Sequence, residues 1–173
     1  MTASAAEAAQ VPTVRRARVP DVRRIKELVD CYAGEILLEK SLVNLFEDVT
    51  DFWVAEVDGR VEACAALHVL WEDLAEIRTV ATNPELRGRG IGGLLCREVI
   101  AEAGRMGVSR LFVLTFEVSF FAGLGFQVIS ELGLSPEGFA ELRRSYDAGV
   151  AEALDLPYVK PNTLGNTRML RYL

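Results

Sequence analysis

The residues with the clearest chemical use form a glycine-rich turn, Arg87-Gly88-Arg89-Gly90-Ile91-Gly92. The turn follows an apolar, strand-like stretch at 77–81 and opens an amphipathic, helix-like stretch at 91–106. Glycine leaves the outside of a turn without side chains, so backbone N–H groups can converge on an anion, and the positive end of the helix dipole adds to the attraction. Three glycines in five positions are more than a bare strand-to-helix turn requires. The pattern predicts a site for a pyrophosphate-bearing ligand.

A carboxylate inside an apolar strand is the second candidate for chemistry. Glu76 lies within the run 74–81, where an acid is costly to bury unless it is hydrogen-bonded or used. Its use would be as a general base, which reaches the proton that it removes directly or through one water. The alternatives are a solvent-facing strand residue and a structural pair with Arg78.

The elements before the glycine turn must position both features. Asp58-Gly59 lies between two apolar runs and is a strong signal for a β-hairpin. The sequence predicts, in order, a strand at 14–17, a helix that opens at Pro20-Asp21, a helical patch at 42–46, and strands at 52–57, 61–70 and 74–81. We expect the last three strands to form an antiparallel meander.

The elements after the turn begin with a helix over 91–106. The stretch 111–115 is almost continuously apolar, which is typical of a strand buried on both faces, and a helical crossover makes it parallel to the strand before the turn. The remaining predictions are a short helix at 119–123, a strand at 126–130, a long helix from Ser135-Pro136 to about Ala153, and a final strand at 167–173.

Composition limits the function classes. The chain has 173 residues, half of them apolar, so we expect a single domain at 12–173 after a tail at 1–11. Its formal net charge is -6, so we expect no attraction to nucleic acid or to an anionic membrane surface. The longest apolar runs, such as 63–71, are far shorter than the roughly 20 residues that span a bilayer. Small molecules or proteins are the expected partners.

Cysteine and histidine usage favours a reducing cytoplasm and argues against a metal site. Cys31, Cys64 and Cys96 are scattered without C-x-x-C spacing, and we expect all three to be small core residues. His68 is the single histidine. On an apolar strand it is more typical of a hydrogen-bonded core or cleft-wall residue than of a second base.

The glycine turn has the form R-x-x-G-x-G, and a block of the form F-F-x-x-x-G-F follows at 120–126. With the strand before the turn and the helix after it, these motifs resemble the GCN5-related N-acetyltransferases (GNAT) over residues 14–130. The resemblance implies an α+β (α/β) GNAT fold: a mixed, mostly antiparallel sheet with helices on both faces and a splayed pair of parallel strands that binds acetyl-CoA.

The resemblance also implies the cosubstrate contacts. In the family the pyrophosphate of CoA binds the glycine turn, the pantetheine arm lies along the preceding strand, and the acceptor amine attacks the thioester directly, so catalysis is largely positioning. Either arginine of the turn would add a charge-assisted contact. The positions of this sequence that match are Thr79, Val80, Ala81, Arg87, Gly88, Arg89, Gly90, Ile91 and Gly92.

A narrower likeness lies in five segments, at 34–40, 64–67, 75–77, 111–115 and 166–170. They are similar to the acetyltransferase domain of bacterial N-acetylglutamate synthases, and the stretch Y-V-K-P-N at 158–162 is similar to short, single-domain forms of the arginine pathway. The likeness implies acetyl transfer to the α-amine of L-glutamate, the first step of arginine biosynthesis.

The same likeness assigns roles to individual residues. It implies Glu76 as the general base and Thr115 as a hydroxyl that hydrogen-bonds the departing sulfur or a relay water, although Thr115 also suits a strand end by β propensity. An amino-acid acceptor needs cations for its carboxylate. The candidates are Lys40, Arg168 and Arg15, each of which is otherwise a solvated surface charge.

The group that protonates the thiolate stays open. Many GNAT enzymes have a tyrosine near the F-F block, whereas this chain has Phe120 and Phe121. Ser119 and solvent remain as donors. Tyr146, Tyr158 and Tyr172 are too distant along the chain to be placed from sequence.

Alternative functions also stay open. The acceptor could be L-glutamine, another amino acid or a protein N-terminus, and the fold could serve as a non-catalytic acetyl-CoA-binding module. A homodimer is plausible, whereas no metal, nucleic-acid or membrane partner is expected.

Overall fold

The computed structural model describes residues 11–154 and 165–173. The strands are β1 (Thr13–Arg16), β2 (Phe52–Val57), β3 (Arg60–Trp71), β4 (Leu74–Thr82), β5 (Arg110–Thr115), β6 (Gln127–Val128) and β7 (Thr167–Tyr172). The helices are α1 (Val22–Asp30), α2 (Leu42–Glu47), α3 (Ile91–Arg105), α4 (Val118–Gly123), α5 (Pro136–Leu142) and α6 (Ala148–Ala153), with short 3-10 turns at Val19–Asp21, Val49–Asp51 and Pro84–Leu86. The described strands form one seven-stranded sheet in the order β1-β2-β3-β4-β5-β7-β6.

The parallel pair at the centre of the sheet separates along its length. β2, β3 and β4 form the predicted antiparallel meander. β4 and β5 are parallel, and their ladder joins only Leu74–Glu76 to Arg110–Phe112. Beyond that point β5 continues its antiparallel pairing with β7 as far as Thr115. The two parallel strands therefore diverge at the position of Glu76, which confirms the predicted splayed pair.

A β-bulge in β4 lies just past the point of divergence. Ala66 of β3 pairs with Arg78, and Cys64 pairs with Ala81, so two residues of β4 lie opposite the single intervening residue of β3. Thr79 has a φ of 56°, in the left-handed region that non-glycine residues rarely adopt. A bulge bends its strand and increases the local twist, so it directs the end of β4 away from β5.

Helices cover both faces of the sheet. Side chains alternate along a strand, so Ala75 and Ile77 face α3 and pack in its core cluster. The opposite face carries α1 and α2 over β2 and β3, and α5 and α6 over the region of β4, β5 and β7. Alternation places Glu76 and Arg78 on this second face, on the same side as the buried Leu74.

The long helix predicted from Ser135 to Ala153 is wrong. The segment forms two short helices, α5 and α6, separated by residues 143–147. Ser145 Oγ accepts a hydrogen bond from the amide of Asp147, at 3.1 Å, and the Asp147 carboxylate caps α6 by accepting from the amide of Val150, at 3.0 Å. Ser and Asp compete for backbone donors in this way and favour helix starts over helix interiors.

The last core strand and one cysteine differ from their predictions. The strand predicted at 126–130 is reduced to β6. Cys64 and Cys96 are buried as predicted, whereas Cys31 is exposed after α1, so that part of the prediction is wrong. Residues 1–10 of the predicted tail and the segment around Tyr158 lie outside the described ranges. No helix in those ranges is long and apolar enough to cross a membrane.

Candidate active site

The gap between β4 and β5 is a cleft of about 470 Å³. Residues 77–80 of β4 line one side, and residues 114–117, at the end of β5 and just beyond it, line the other. The glycine turn, the first turn of α3 and the aromatic pair of α4, Phe120 and Phe121, also line it. The strand divergence thus opens directly onto the predicted anion site.

The glycine turn has the conformation that its sequence predicts. Gly88 and Gly90 have φ values of 80° and 81°, which L side chains disfavour, and Gly90 is the N-cap of α3. The amides of Ile91, Gly92 and Gly93 belong to the first helical turn, where N–H groups have no intrahelical acceptor. They are the donors that an anion at this helix end would satisfy.

The cosubstrate residues predicted from sequence are not equally placed. Thr79, Val80, Arg87 and the turn glycines Gly88, Gly90 and Gly92 line the cleft. Ile91 also lines the cleft, although its side chain is largely buried in the core. Arg89 and Ala81 are not in the cleft lining, and Ala81 packs in the core beneath α1.

Two cleft residues were missed by the sequence analysis. Arg97 lies one turn after Gly93 on α3, and a Cβ at Gly93 would be 3.4 Å from the guanidinium of Arg97. The i, i+4 spacing could have indicated that this cation lies over the helix start. Tyr32 reaches the cleft from the end of α1, and its hydroxyl donates to the carbonyl of Thr82 at 2.5 Å. No local pattern marks a contact between residues so far apart in sequence.

Glu76 is deeply buried beside the cleft. The residue is 4% exposed. Its Oε2 atom has no hydrogen-bond partner and lies 3.9 Å from Nη1 of Arg78, which does line the cleft. Burial raises the pKa of Glu76 to about 8, with the charge of Arg78 opposing the rise and the charges of Glu152 and Asp147 adding to it. The environment therefore favours the protonated acid near neutral pH and an available base just above it.

The face that carries Glu76 is lined by further charges. Arg78 donates to both carboxylate oxygens of Asp147, at 2.5 and 3.0 Å. Burial alone would raise the pKa of Asp147, but these bonds hold it at about 2. On the same helix, Glu152 accepts from Nδ2 of Asn166 at 2.8 Å, and burial raises its pKa to about 7 against the effects of Asn166 and Arg168. The sequence analysis assigned no role to Asp147 or Glu152.

Thr115 lies on the opposite wall of the cleft. It is 8% exposed and lines the gap at the end of β5. Its Oγ1 accepts from the amide of Glu117 at 2.8 Å, which leaves the hydroxyl proton available for donation. Strand alternation places it on the α3 face, together with Val113. The cleft thus lies between the hydroxyl of Thr115 on one face of the sheet and the carboxyl of Glu76 on the other.

The three predicted acceptor cations have different positions. Lys40 lies near enough to Glu76 to lower its pKa, and its Nζ is 3.4 Å from Oδ2 of Asp48. Arg168 pairs across the sheet with Leu114, a cleft residue. Arg15 is on β1, three strands away from β4. The placement of Arg15 does not support a role in acceptor binding, because its guanidinium is held by Asp21 at 2.7 Å and by Glu56 at 2.7 Å.

The fold and the cleft define a class: a domain that holds a long, pyrophosphate-bearing cosubstrate in the gap of a splayed sheet. Residues 22–126 match the Acetyltransferase (GNAT) family. The chain belongs to this family, and it is an acyltransferase that uses acetyl-CoA. No group of described residues could hold a metal ion.

Individual relatives agree with this assignment. The chain is 56% identical to an amino-acid acetyltransferase of Mycobacterium tuberculosis over 165 residues, 94% of this chain and 95% of the relative. A crystal structure of an M. tuberculosis protein in complex with CoA and NLQ superposes with a TM-score of 0.90 at 56% identity, over 93% of this chain and 99% of that one. The N-acetylglutamate synthase of Neisseria gonorrhoeae, solved with coenzyme A and N-acetyl-glutamate, superposes with a TM-score of 0.75 at 28% identity, over 95% of this chain and 35% of that longer one.

Proposed function

We propose that this enzyme is an amino-acid N-acetyltransferase of the cytoplasm that transfers the acetyl group of acetyl-CoA to the α-amine of L-glutamate. This is the N-acetylglutamate synthase reaction, which opens arginine biosynthesis. The observation that carries the proposal is the position of Glu76, a buried carboxyl with an unpartnered oxygen at the last paired residue before the strands diverge. The amino-acid acetyltransferase activity of the M. tuberculosis relative and the N-acetyl-glutamate bound to the Neisseria synthase support it.

In this proposal Glu76 is the general base. An α-ammonium group must lose a proton before its nitrogen can attack, and a base is most effective when its pKa is near the working pH. The pKa of Glu76, raised to about 8 by burial, meets that condition. Oε2 of Glu76 takes one proton of the ammonium group before the attack. As the N–C bond forms and the C–S bond breaks, the electron pair leaves with the sulfur and the nitrogen gives its second proton to solvent.

Thr115 is the proposed donor to the departing sulfur or to a relay water. Its oxygen already accepts from the Glu117 amide, so the hydroxyl proton is the part of the group that is free to act. Phe120 and Phe121 line the cleft where many family members have a tyrosine nearby. Final protonation of the thiolate is therefore assigned to solvent that reaches Thr115.

The proposed contacts to the acceptor carboxylates are Lys40 and Arg168. Lys40 is largely buried, with 15% of its side chain exposed, and its charge acts on Glu76. Arg168 acts on Glu152 on the same face of the sheet. Lys40 thus lies near the proposed base and Arg168 lies on the same face of the sheet, and in this proposal they bind the carboxylates of the amino acid.

The test is thiol release from acetyl-CoA by the purified full chain, with L-glutamate, L-glutamine and a peptide with a free N-terminus as acceptors. The proposal predicts the highest kcat/KM for L-glutamate and a KM for it at least about 10-fold higher in Lys40→Ala, because a charged hydrogen bond is lost. Lys26→Ala, which removes an α1 lysine paired with Asp30, is the matched control and should leave both constants unchanged.

The other outcomes of this assay separate the alternatives. A preference for L-glutamine or for the peptide would keep the transfer chemistry and change the acceptor. No release with any amine would favour the non-catalytic module.

We also propose that the enzyme forms a homodimer. Exposed apolar side chains on α5 and near β6 and β7, including Phe139, Val128 and Tyr172, support an interface at this end of the sheet. Light scattering at micromolar concentration should give twice the chain mass of 19.0 kDa; a monomer mass would contradict the dimer.

A further inference from the structure

Helix α6 crosses the divergence of the sheet and is attached on both sides of it. Its N-cap, Asp147, is bound by Arg78 of β4. Near its other end, Glu152 accepts from Asn166, which immediately precedes β7. Since β5 lies between β4 and β7 in the sheet, α6 spans the strand that forms one wall of the cleft. The helix therefore covers the face of the sheet that carries Glu76.

Two buried hydrogen-bond acceptors on this face have no donor. Oε2 of Glu76 and Oδ1 of Asn166 have no partner in the described structure. A buried polar atom without a partner costs about 1 to 3 kcal/mol, so native proteins rarely leave one without a use. Each of these groups presents lone pairs, and Glu152 adds a second oxygen beside the one that Asn166 holds. When Glu76 is ionised, the missing partners of these atoms are N–H or O–H donors.

The charges around these atoms favour a cationic donor. Asp147 is neutralised by its two bonds to Arg78, and His68 acts on it from β3. Arg168 partly offsets the charge of Glu152. Nevertheless the charge of Glu152 reaches Glu76 and raises its pKa, against the opposing charges of Arg78 and Lys40. An ammonium group, with three donors and one positive charge, matches this set of acceptors.

We propose that Glu152, held in place by Asn166, binds the ammonium form of the acceptor's α-amine beside Glu76. This inference rests on the proposed function and adds to it a residue that recognises the amine. In the bound state Glu152 accepts one N–H bond of the ammonium group, and a second of its protons passes to Oε2 of Glu76. The nitrogen loses one further proton to solvent as the amide forms. The positive charge of the bound ammonium group keeps Glu152 ionised, so Glu152 holds the amine and Glu76 removes its proton.

The same charge also sets the pH at which the base is available. Two neighbouring carboxyl groups cannot both ionise freely, so the negative charge of Glu152 raises the pH at which Glu76 loses its proton. Removal of the Glu152 charge should lower the pKa of Glu76. A residue with a purely structural role on α6 would not change this titration.

The experiment is steady-state kinetics of the full chain and Glu152→Gln, from pH 6 to pH 10, with L-glutamate as acceptor. We expect the variant to raise the KM for the acceptor about 10- to 100-fold, as for the loss of a charged hydrogen bond, and to leave the KM for acetyl-CoA within about twofold. The acidic limb of log kcat/KM, where activity rises as Glu76 loses its proton, should move to lower pH. Glu152→Asp, which keeps the charge, should retain the wild-type position of that limb.

Glu141→Gln is the matched control. Glu141 is an exposed acid of α5 that pairs with Arg144, and its removal should change neither constant. An unchanged acceptor KM and an unchanged limb in Glu152→Gln would overturn the inference, as would an equal loss of affinity for acetyl-CoA. If the wild type acetylates a different amine, the proposed function fails on its acceptor while the same comparison, run with that amine, still decides the role of Glu152.

Discussion

Glu76→Gln should abolish most of the activity and at the same time stabilise the protein at alkaline pH. In the folded state burial raises the pKa of Glu76 from 4.5 to about 8. A group with a raised pKa contributes its full stability below the unfolded value, and this contribution is lost as the pH rises through the folded value. Between pH 4.5 and about 8 the wild type is therefore expected to lose stability that the neutral glutamine retains.

The size of the gain in stability at alkaline pH follows from the shift of the Glu76 pKa. At about 1.4 kcal/mol for each pKa unit, a rise from 4.5 to about 8 corresponds to at most about 5 kcal/mol. Urea denaturation at pH 5 should give nearly equal free energies of unfolding for the wild type and Glu76→Gln. At pH 9 the variant should be more stable than the wild type. Turnover should fall at least about 100-fold, the usual contribution of a general base, while calorimetric affinity for acetyl-CoA persists.

The opposite result would refute this account of Glu76. If the carboxylate were a structural partner of Arg78, which lies 3.9 Å away, the glutamine variant would be less stable at pH 9 and its loss of turnover would follow its loss of folded protein. Near-normal turnover in a folded variant would remove Glu76 from the mechanism.

Three further predictions concern the surrounding structure. Gly90→Ala should strain a residue with a φ of 81° by about 1 to 2 kcal/mol and weaken calorimetric binding of CoA. Gly104→Ala, at the far end of α3 where a Cβ meets open space, should bind CoA normally. Equal effects of the two substitutions would contradict a role for the turn conformation. Arg97→Ala should weaken CoA binding about 5-fold, as expected for an exposed charge, without raising the acceptor KM; an unchanged CoA affinity would exclude Arg97 from the site. Asp147→Asn should lower the free energy of unfolding by about 2 kcal/mol at pH 7, because the native fold lowers the pKa of Asp147 from 3.8 to about 2. This loss of stability should disappear as the pH falls through about 2. A loss that does not depend on pH would contradict the ion pair with Arg78.

Local sequence patterns predicted the fold well where neighbouring residues alone determine the backbone conformation. The hairpin at Asp58-Gly59 forms, with positive φ at both residues, and the glycine turn has the left-handed residues that its composition predicts. The long helix after Ser135 failed because a tertiary contact competes with helix propensity. Asp147 is bound by Arg78 of a distant strand and caps a new helix, which no periodicity within the segment indicates.

The site was predictable to the extent that its residues lie in motifs. Glu76 was a candidate because an acid in an apolar strand is unusual, and the likeness to a known family indicated Thr115 and Lys40. Thr115 lines the cleft and Lys40 lies near Glu76, whereas the roles of all three stay predictions. Glu152 and Asn166 carried no such mark, because they meet only when α6 crosses the sheet and β7 pairs between β5 and β6. The sequence likewise does not reveal that Arg15 forms ion pairs with Asp21 and Glu56, three strands away from β4.

The central claim, acetyl transfer to the α-amine of L-glutamate, is tested most directly by a competition. The full chain is incubated with acetyl-CoA that carries a ¹³C-labelled acetyl group, together with equal concentrations of L-glutamate and L-glutamine, and the products are identified by mass spectrometry and NMR. The account predicts labelled N-acetylglutamate as the main product, with the label on the α-nitrogen. Labelled N-acetylglutamine as the main product, or no labelled amino acid at all, would contradict it.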